Sequence, residues 1–408
     1  MNEKPSKSNL LFVGFLVDDQ TFESSMRNEK FPQHAAHAYQ KKLFRMLLSL
    51  RWNSINILGS VPASSFSNNP NLFFKSKTWD FKGARGFMPF SLNLPVIKGL
   101  LKIIAFFKYL VRWSVINRNR EGSSKIIFLY ALHTPHLIPV FLLKKICGLK
   151  VIVFIPDMPK FMRIGVRSRL FIRWLKTIDN QLLVWMANQA DGRVVIAKHM
   201  SSFFKNRNTL VVDSIALERE KVLPLSVQLP KGNNIVYTGG VNNEYGIQKL
   251  VSCFLDPVIK SRDLNLVICG EGPLRDWCAN IAMQNDNIFY LGVVPNAEVL
   301  SIQSQAFALI NLRSIAGEYT KYSFPSKISE YIQAGVPVIT TKLDGIPEDL
   351  LEYLNIANEE CPAEIVLAVV NNYENALVKA KKGTSYYLST RSVSKQAKKL
   401  LTLINSII

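Results

Sequence analysis

Short apolar runs of strand length alternate with helical segments along the whole chain, in two separate series. In the first series Leu10–Val17, Ile55–Gly59, Ile126–Leu129, Val151–Ile155 and Gly192–Ile196 read as strands. Residues 34–50, 96–116 and 168–187 carry helical periodicity, an apolar helix precedes Val151, and residues 60–95, rich in Ser, Asn, Pro and Phe, read mostly as loop. The second series begins near residue 233, with strands NIVYTG, LNLVICG, NIFYLG, FALINL and VPVITT and helices over 247–255, 273–283, 296–304 and 325–334. Strand alternating with helix implies α/β architecture with parallel, doubly wound sheets covered on both faces. A chain of 408 residues exceeds one ordinary core and fits two. Residues 213–232 lack periodicity and mark the boundary.

The expected organisation is therefore a first Rossmann-like domain over 1–214, a second over 215–385, and a C-terminal helix over 386–408 packing back on the first. Ligands sit at the carboxyl ends of parallel strands, so two such domains facing each other would enclose a cleft.

Charge separates the two halves. Residues 1–214 hold 32 Lys+Arg against 11 Asp+Glu, whereas residues 215–408 hold 18 against 19. The basic half suits an anionic membrane surface or a phosphorylated substrate. Its cations are scattered among Phe, Trp, Leu and Ile, and no segment resembles a nucleic-acid module, so no nucleic-acid partner is expected. In the long helix 96–116, Lys98, Lys102, Lys108 and Arg112 share an arc of about 120° at 100° per residue. That arc would face lipid headgroups if the helix lay in a membrane surface, or water if the helix covered a sheet. The opening MNEKPSKSNL lacks the apolar stretch of a signal peptide, and no uncharged run of about 18 residues reads as a membrane span. The five cysteines share no metal-like spacing and read as free thiols of a reducing cytoplasm.

The stretch 311–341, NLRSIAGEYTKYSFPSKISEYIQAGVPVITT, leaves a strand, crosses a polar loop and enters a helix at Ser323-Phe324-Pro325. Proline in the first turn costs no useful N–H, and the free amides there favour an anion. Helical spacing puts Lys327, Glu330, Tyr331 and Ala334 on one face, with Ile328 and Ile332 on the core side. A cation and a carboxylate beside a helix start match the phosphates and ribose hydroxyls of a nucleoside diphosphate, although a Lys–Glu pair three residues apart is also common on surfaces.

Residues 233–350 resemble the donor-binding domain of the retaining GT-B glycosyltransferases of family four. YTGGVNNEYGI is similar to that family's first C-domain strand and glycine turn, and LVICGEGPLR to its Gly-x-Gly-Pro loop. NIFYLGVVPNAEVLSIQSQAFALINLR resembles its next two strands, and YSFPSKISEYIQAGVPVITT a branch found in capsule and O-antigen gene clusters. The first half resembles the family more weakly, through FIPDMPKFM and its strand order. The resemblance implies a GT-B fold and transfer of a sugar, with retention, from a UDP- or GDP-linked donor to a growing, lipid-linked surface polysaccharide. It implies no metal and no cofactor beyond that co-substrate, and a cytoplasmic protein peripheral on the inner face of the cell membrane.

Three family positions differ here. The usual pair of acids with seven residues between them would fall on Tyr322 and Glu330, and the Arg and Lys beyond the first C-domain strand on Gly240 and Tyr245. Glu330 is then implied as the ribose contact. Arg313 and Lys327 are the expected leaving-group cations, with Tyr322 and the amides around Ser323, Phe324, Pro325 and Ser326 on the donor. Gly239, Gly240 and Gly272 are expected where backbone approaches phosphate. His133 and Asp157, each after a strand, are the acceptor-side candidates. A nucleotide-sugar epimerase and a non-catalytic GT-B subunit are the alternative functions.

Overall fold

The computed structural model describes residues 8–118, 123–161, 170–204, 208–216 and 228–408. The N-terminal heptapeptide, the start of the helix expected from 168, Met162 of FIPDMPKFM and most of the expected boundary stretch lie outside them. Two compact units form: Met1–Ile215 together with Val393–Ile408, and Ala216–Ser392.

In the first unit the strands are β1 (Ser8–Gly14), β2 (Ser54–Gly59), β3 (Phe73–Phe74), β4 (Lys77–Phe81), β5 (Ala84–Met88), β6 (Ser91–Leu92), β7 (Ser124–Tyr130), β8 (Leu149–Ile155), β9 (Gly192–Val195) and β10 (Thr209–Val211). Its longer helices are α1 (Asp19–Met26), α2 (His34–Leu48), α3 (Ile97–Ile116), α4 (Thr134–Lys144) and α5 (Leu170–Asn188). One sheet has the order β10-β9-β8-β7-β1-β2-β5-β4, parallel except for the β4–β5 hairpin. Every residue of β1 is buried, as expected of a central strand covered on both faces. Leu10 and Phe12 pack in one core with Leu43, Phe44 and Leu47 of α2.

The loop expected over 60–95 is instead partly sheet. Lys82-Gly83 turns β4 into β5, and Trp79 lies opposite Gly86 with its ring where a side chain would stand. The two strands mix Trp79, Phe81 and Phe87 with Lys77, Thr78, Asp80 and Arg85, so composition concealed the alternation.

The second unit contains β11 (Asn233–Thr238), α6 (Ile247–Leu255), α7 (Pro257–Lys260), β12 (Leu264–Cys269), α8 (Arg275–Gln284), β13 (Ile288–Gly292), α9 (Asn296–Gln305), β14 (Ala308–Asn311), α10 (Ser326–Ile332), β15 (Val338–Thr341), α11 (Glu348–Leu351), β16 (Asn355–Ala357), α12 (Pro362–Asn371) and α13 (Tyr373–Arg391). Its parallel sheet runs β13-β12-β11-β14-β15-β16. Neighbouring residues alternate between two cores: Ile235 and Tyr237 face α6 and α12, whereas Val236 faces α10 and α13. The strand order reverses between β11 and β14, which opens a crevice at their carboxyl ends.

The second break between units falls after Ser392, not near residue 386. Helix α13 continues through Tyr387, fully buried in its own unit, and the Arg391 guanidinium pairs with Asp349 at 2.5 Å. The chain then forms α14 (Val393–Ile407), whose Leu400 and Ile404 join the core of the first unit, and Gln396 donates to the Ser214 carbonyl at 3.1 Å. Among the described residues, no helix is long and apolar enough to cross a membrane.

Candidate functional site

The crevice at the β11/β14 reversal gathers most of the residues singled out in the second half. Beyond β11 the chain passes Gly239-Gly240-Val241 and turns at Asn242–Tyr245 into α6. This loop lies along the loop after β12: Gly239 N–H donates to Cys269 O and Val241 N–H to Glu271 O, both at 2.9 Å. A side chain on Gly272 would stand 2.3 Å from the Val241 carbonyl, so only glycine permits that approach. Gly246, at φ 75°, brings the loop against β14, where a side chain would stand 2.0 Å from the Leu312 carbonyl.

Arg313 lies two residues beyond β14. Its guanidinium carbon lies 5.2 Å from the Tyr245 ring centroid and 5.1 Å from that of Tyr319. Its Nε is buried and has no hydrogen-bond partner among the described residues. The Tyr245 ring also crowds Gly240. Gly240, Tyr245 and Arg313 therefore lie together, with the guanidinium supplied from just beyond β14.

Helix α10 is anchored beside the same strand end. The Thr238 N–H donates to the Tyr331 hydroxyl at 2.8 Å, and that hydroxyl donates to the Thr238 carbonyl at 3.2 Å. Tyr331 is fully buried, which corrects its expected place on the open face with Lys327 and Glu330. A phenol that satisfies both backbone groups of a terminal strand residue is held inside by those bonds. Lys327 and Glu330 are half-buried and bond to each other at 3.0 Å.

The turn before α10 is also more internal than expected. Phe324 lies in the core with Ile328 and Ile332, and Pro325 is buried. Ser326 is exposed, Tyr322 and Ser323 are half-buried, and the helix is seven residues long where ten were expected. Gly345 locks this turn, because a side chain there would stand 2.1 Å from the Ser323 carbonyl. Tyr245, Tyr319, Gly246 and Gly345 were not foreseen as parts of the site. The position of Tyr245-Gly246 one turn after β11 was the available signal.

His133 and Asp157 belong to the first unit. His133 caps α4, its ring centroid 4.9 Å from Phe15 and 4.4 Å from His136. Asp157 is exposed, two residues beyond β8. Among the described residues no group of three or more His, Cys, Asp or Glu could hold a metal ion.

Residues 232–375 match the family model described as Glycosyl transferases group 1. No curated protein sequence matches the chain. It is similar in structure to sucrose-phosphate synthase from Thermosynechococcus elongatus, with a TM-score of 0.62 at 12% identity over 98% of this chain and 99% of that one. HepE from Anabaena, solved with UDP and glucose, gives 0.60 at 12% identity over 98% and 100%. The lipopolysaccharide outer core galactosyltransferase WaaB gives 0.57 at 12% identity over 98% and 100%. The fold is that of the GT-B glycosyltransferases, with two Rossmann-like domains.

Proposed function

We propose that the chain is a glycosyltransferase that moves a sugar, with retention of configuration, from a UDP- or GDP-linked donor onto a lipid-linked surface polysaccharide. The observation that carries this reading is Arg313, stacked between two tyrosines at the point where a doubly wound sheet opens its ligand crevice. A departing nucleoside diphosphate gains negative charge as the glycosidic bond breaks, and a fixed guanidinium beside glycine backbone meets that charge without reorganising. Glu330 accepts from the donor ribose, and its bond to Lys327 fixes both side chains on the first turns of α10. The acceptor hydroxyl attacks from the face the diphosphate leaves, and the leaving group takes its proton, so no protein nucleophile is assigned. HepE was solved with UDP and glucose, and WaaB is an outer core galactosyltransferase of lipopolysaccharide. Both names support the choice of nucleotide donor and envelope acceptor.

The same reading places the first unit on the inner face of the cell membrane. With α14 counted, that unit holds 35 Lys+Arg against 11 Asp+Glu, and the second 15 against 19. On α3, Ile97, Leu100, Ile104, Phe107, Val111 and Val115 are exposed along one stripe, with Lys108 and Arg112 beside it. An exposed apolar stripe flanked by cations suits an anionic bilayer surface.

The test is which nucleotide sugar raises the melting temperature of the purified protein, followed by transfer from that donor. A UDP- or GDP-sugar that stabilises the chain and is turned over only with acceptor supports the transferase. Turnover without acceptor would indicate the epimerase instead, and absence of stabilisation by any nucleotide sugar a non-catalytic subunit.

A further inference from the structure

The two faces of the sheet in the first unit are covered differently. On one face, α2 and α14 share a core with Leu10, Phe12, Phe128 and Phe154, and neither helix leaves a large apolar side chain exposed. The alternate strand residues, Leu11, Leu129 and Val153 among them, point the other way, where α3, α4 and α5 form the covering layer.

These three helices lie side by side. Gly99 of α3 faces the Pro135 ring of α4, and Phe106 of α3 stacks on His136 with ring centroids 5.0 Å apart. The Thr134 hydroxyl, at the start of α4, donates to Asp179 of α5, and the Lys144 ammonium, at its end, to the Gln189 carbonyl just past α5. Each of those pairs spans 45 residues of chain, so α4 and α5 run parallel and level. Helices of this length set about 8–10 Å apart present a face of roughly 30 Å by 20 Å.

Much of that face is apolar. On α5, Trp174, Ile178, Leu182 and Trp185 are exposed within an arc of about 80° at 100° per residue, each tryptophan at 59%. On α4, Ile138 is half-buried, and Leu142 and Ile146, one and two turns further on, are exposed. They adjoin the exposed stripe of α3, and bare apolar surface of this breadth marks a contact. The charges identify the partner. Four Lys or Arg on α3, one on α4 and two on α5 stand against a single acid, Asp179, which is engaged by Thr134. Lys108, Arg112 and Lys145 are exposed among the apolar residues. A second copy seated here would bring like charges together. An anionic lipid surface meets the cations instead, and an indole suits its boundary, with ring carbons among acyl chains and N–H among headgroups.

We infer that α3, α4 and α5 together form one docking face for an anionic bilayer surface, with Trp174 and Trp185 seated at the level of the lipid headgroups. The inference rests on the membrane contact proposed above and adds to it α4, α5 and the orientation of the unit. Contact through α3 alone leaves the unit free to pivot about one helix axis, whereas three adjacent helices hold the sheet beneath them along the bilayer plane. The carboxyl ends of its strands, where an acceptor would enter, then open along the membrane surface within reach of a lipid-linked chain.

The chain carries its own probe, because of its 6 tryptophans Trp174 and Trp185 are the exposed ones. The test mixes the full chain with vesicles of phosphatidylglycerol and phosphatidylcholine, the latter brominated near the top of its acyl chains. Tryptophan emission is expected to be quenched by these vesicles and not by brominated phosphatidylcholine alone, and the quenching to be lost in the double variant Trp174→Ala, Trp185→Ala. That variant and Leu142→Glu should each lower partitioning into the anionic vesicles by about tenfold or more. All three positions are exposed, so an unchanged unfolding temperature reports an intact fold. Flotation of the wild-type chain with unquenched emission, or with partitioning unchanged in both variants, would leave the contact to α3 and overturn this inference alone. No flotation of the wild-type chain on anionic vesicles would overturn it together with the membrane contact it rests on. A lipid-free dimer in sedimentation, lost in the double variant, would assign the face to a second copy and overturn it as well.

Discussion

Arg313 is held between two tyrosine rings, so little rotational freedom remains to be lost when it meets an anion. Arg313→Ala is expected to lower single-turnover transfer by about two to three powers of ten, and Arg313→Lys to restore it only in part, because an ammonium cannot stack as a guanidinium does. Wild-type rates in Arg313→Ala would remove it from the reaction. Glu330→Gln is expected to weaken donor binding by about 1–3 kcal/mol in calorimetric titration, through loss of a charged hydrogen bond. Unchanged affinity would return Glu330 to a structural partner of Lys327. Lys102 carries a stability prediction with a definite sign. Its amine falls to about 7 in the fold through burial and the charge of Lys98, with His133 and His136 as neutral neighbours. Below pH 7 it is charged in both folded and unfolded chains and the full burial cost is present. As pH rises from about 7 to the ordinary lysine range the unfolded chain binds the extra proton, so that cost fades. Lys102→Met should therefore stabilise the protein most below pH 7, by up to roughly 5 kcal/mol, and progressively less towards pH 10. Thermal unfolding across that range checks it, and a gain that grows with pH would contradict it. Where Glu330, Arg313 and the glycines stand in the fold was legible because each sits at a fixed offset from a strand or helix end. Tyr319 was not, since stacking across a turn leaves no periodic trace, and Lys102 was not, since spacing defines a helix face without saying which way it looks.

Helix α3 shows the same limit at the scale of an element. Its extent was legible from sequence, and its charged arc was assigned to lipid or water, but Lys98 and Lys102 look inward. Phe106, Leu110 and Trp113 decide the orientation: they are buried, and the Trp113 indole donates to Asn56 at 3.2 Å. Turning them in leaves Ile104, Phe107 and Val111 outside. If that stripe enters a bilayer, the double change Ile104→Glu, Phe107→Glu should abolish flotation with anionic vesicles and leave melting behaviour nearly unchanged, because both positions are solvent-exposed. Flotation equal to wild type would assign the stripe no role in membrane contact. The β4–β5 hairpin was missed for another reason. Its five register pairs, Trp79 over Gly86 among them, join strands of mixed aromatic and charged residues rather than a run of apolar ones.

Across the whole molecule, the parallel sheets and the two-unit division follow from strand runs too apolar to be half-exposed and helices too regular to be loops. The return of α14 to the first unit sharpens the charge difference, since its three lysines face no acid in their own segment. The first unit is thus strongly basic and the second slightly acidic. Within each unit the strand order reverses at one place: Arg313 stands just beyond it in the second, and Lys102, with no carboxylate partner among the described residues, lies against Phe15 beside it in the first. The central claim, that a nucleotide sugar is bound at the β11/β14 reversal, is tested most directly by hydrogen exchange of the full chain with and without saturating UDP or GDP. Protection is predicted over Gly239–Gly246 and Leu312–Glu330, lost in Arg313→Ala. No protection with either nucleotide, or protection confined to the first unit, would contradict it.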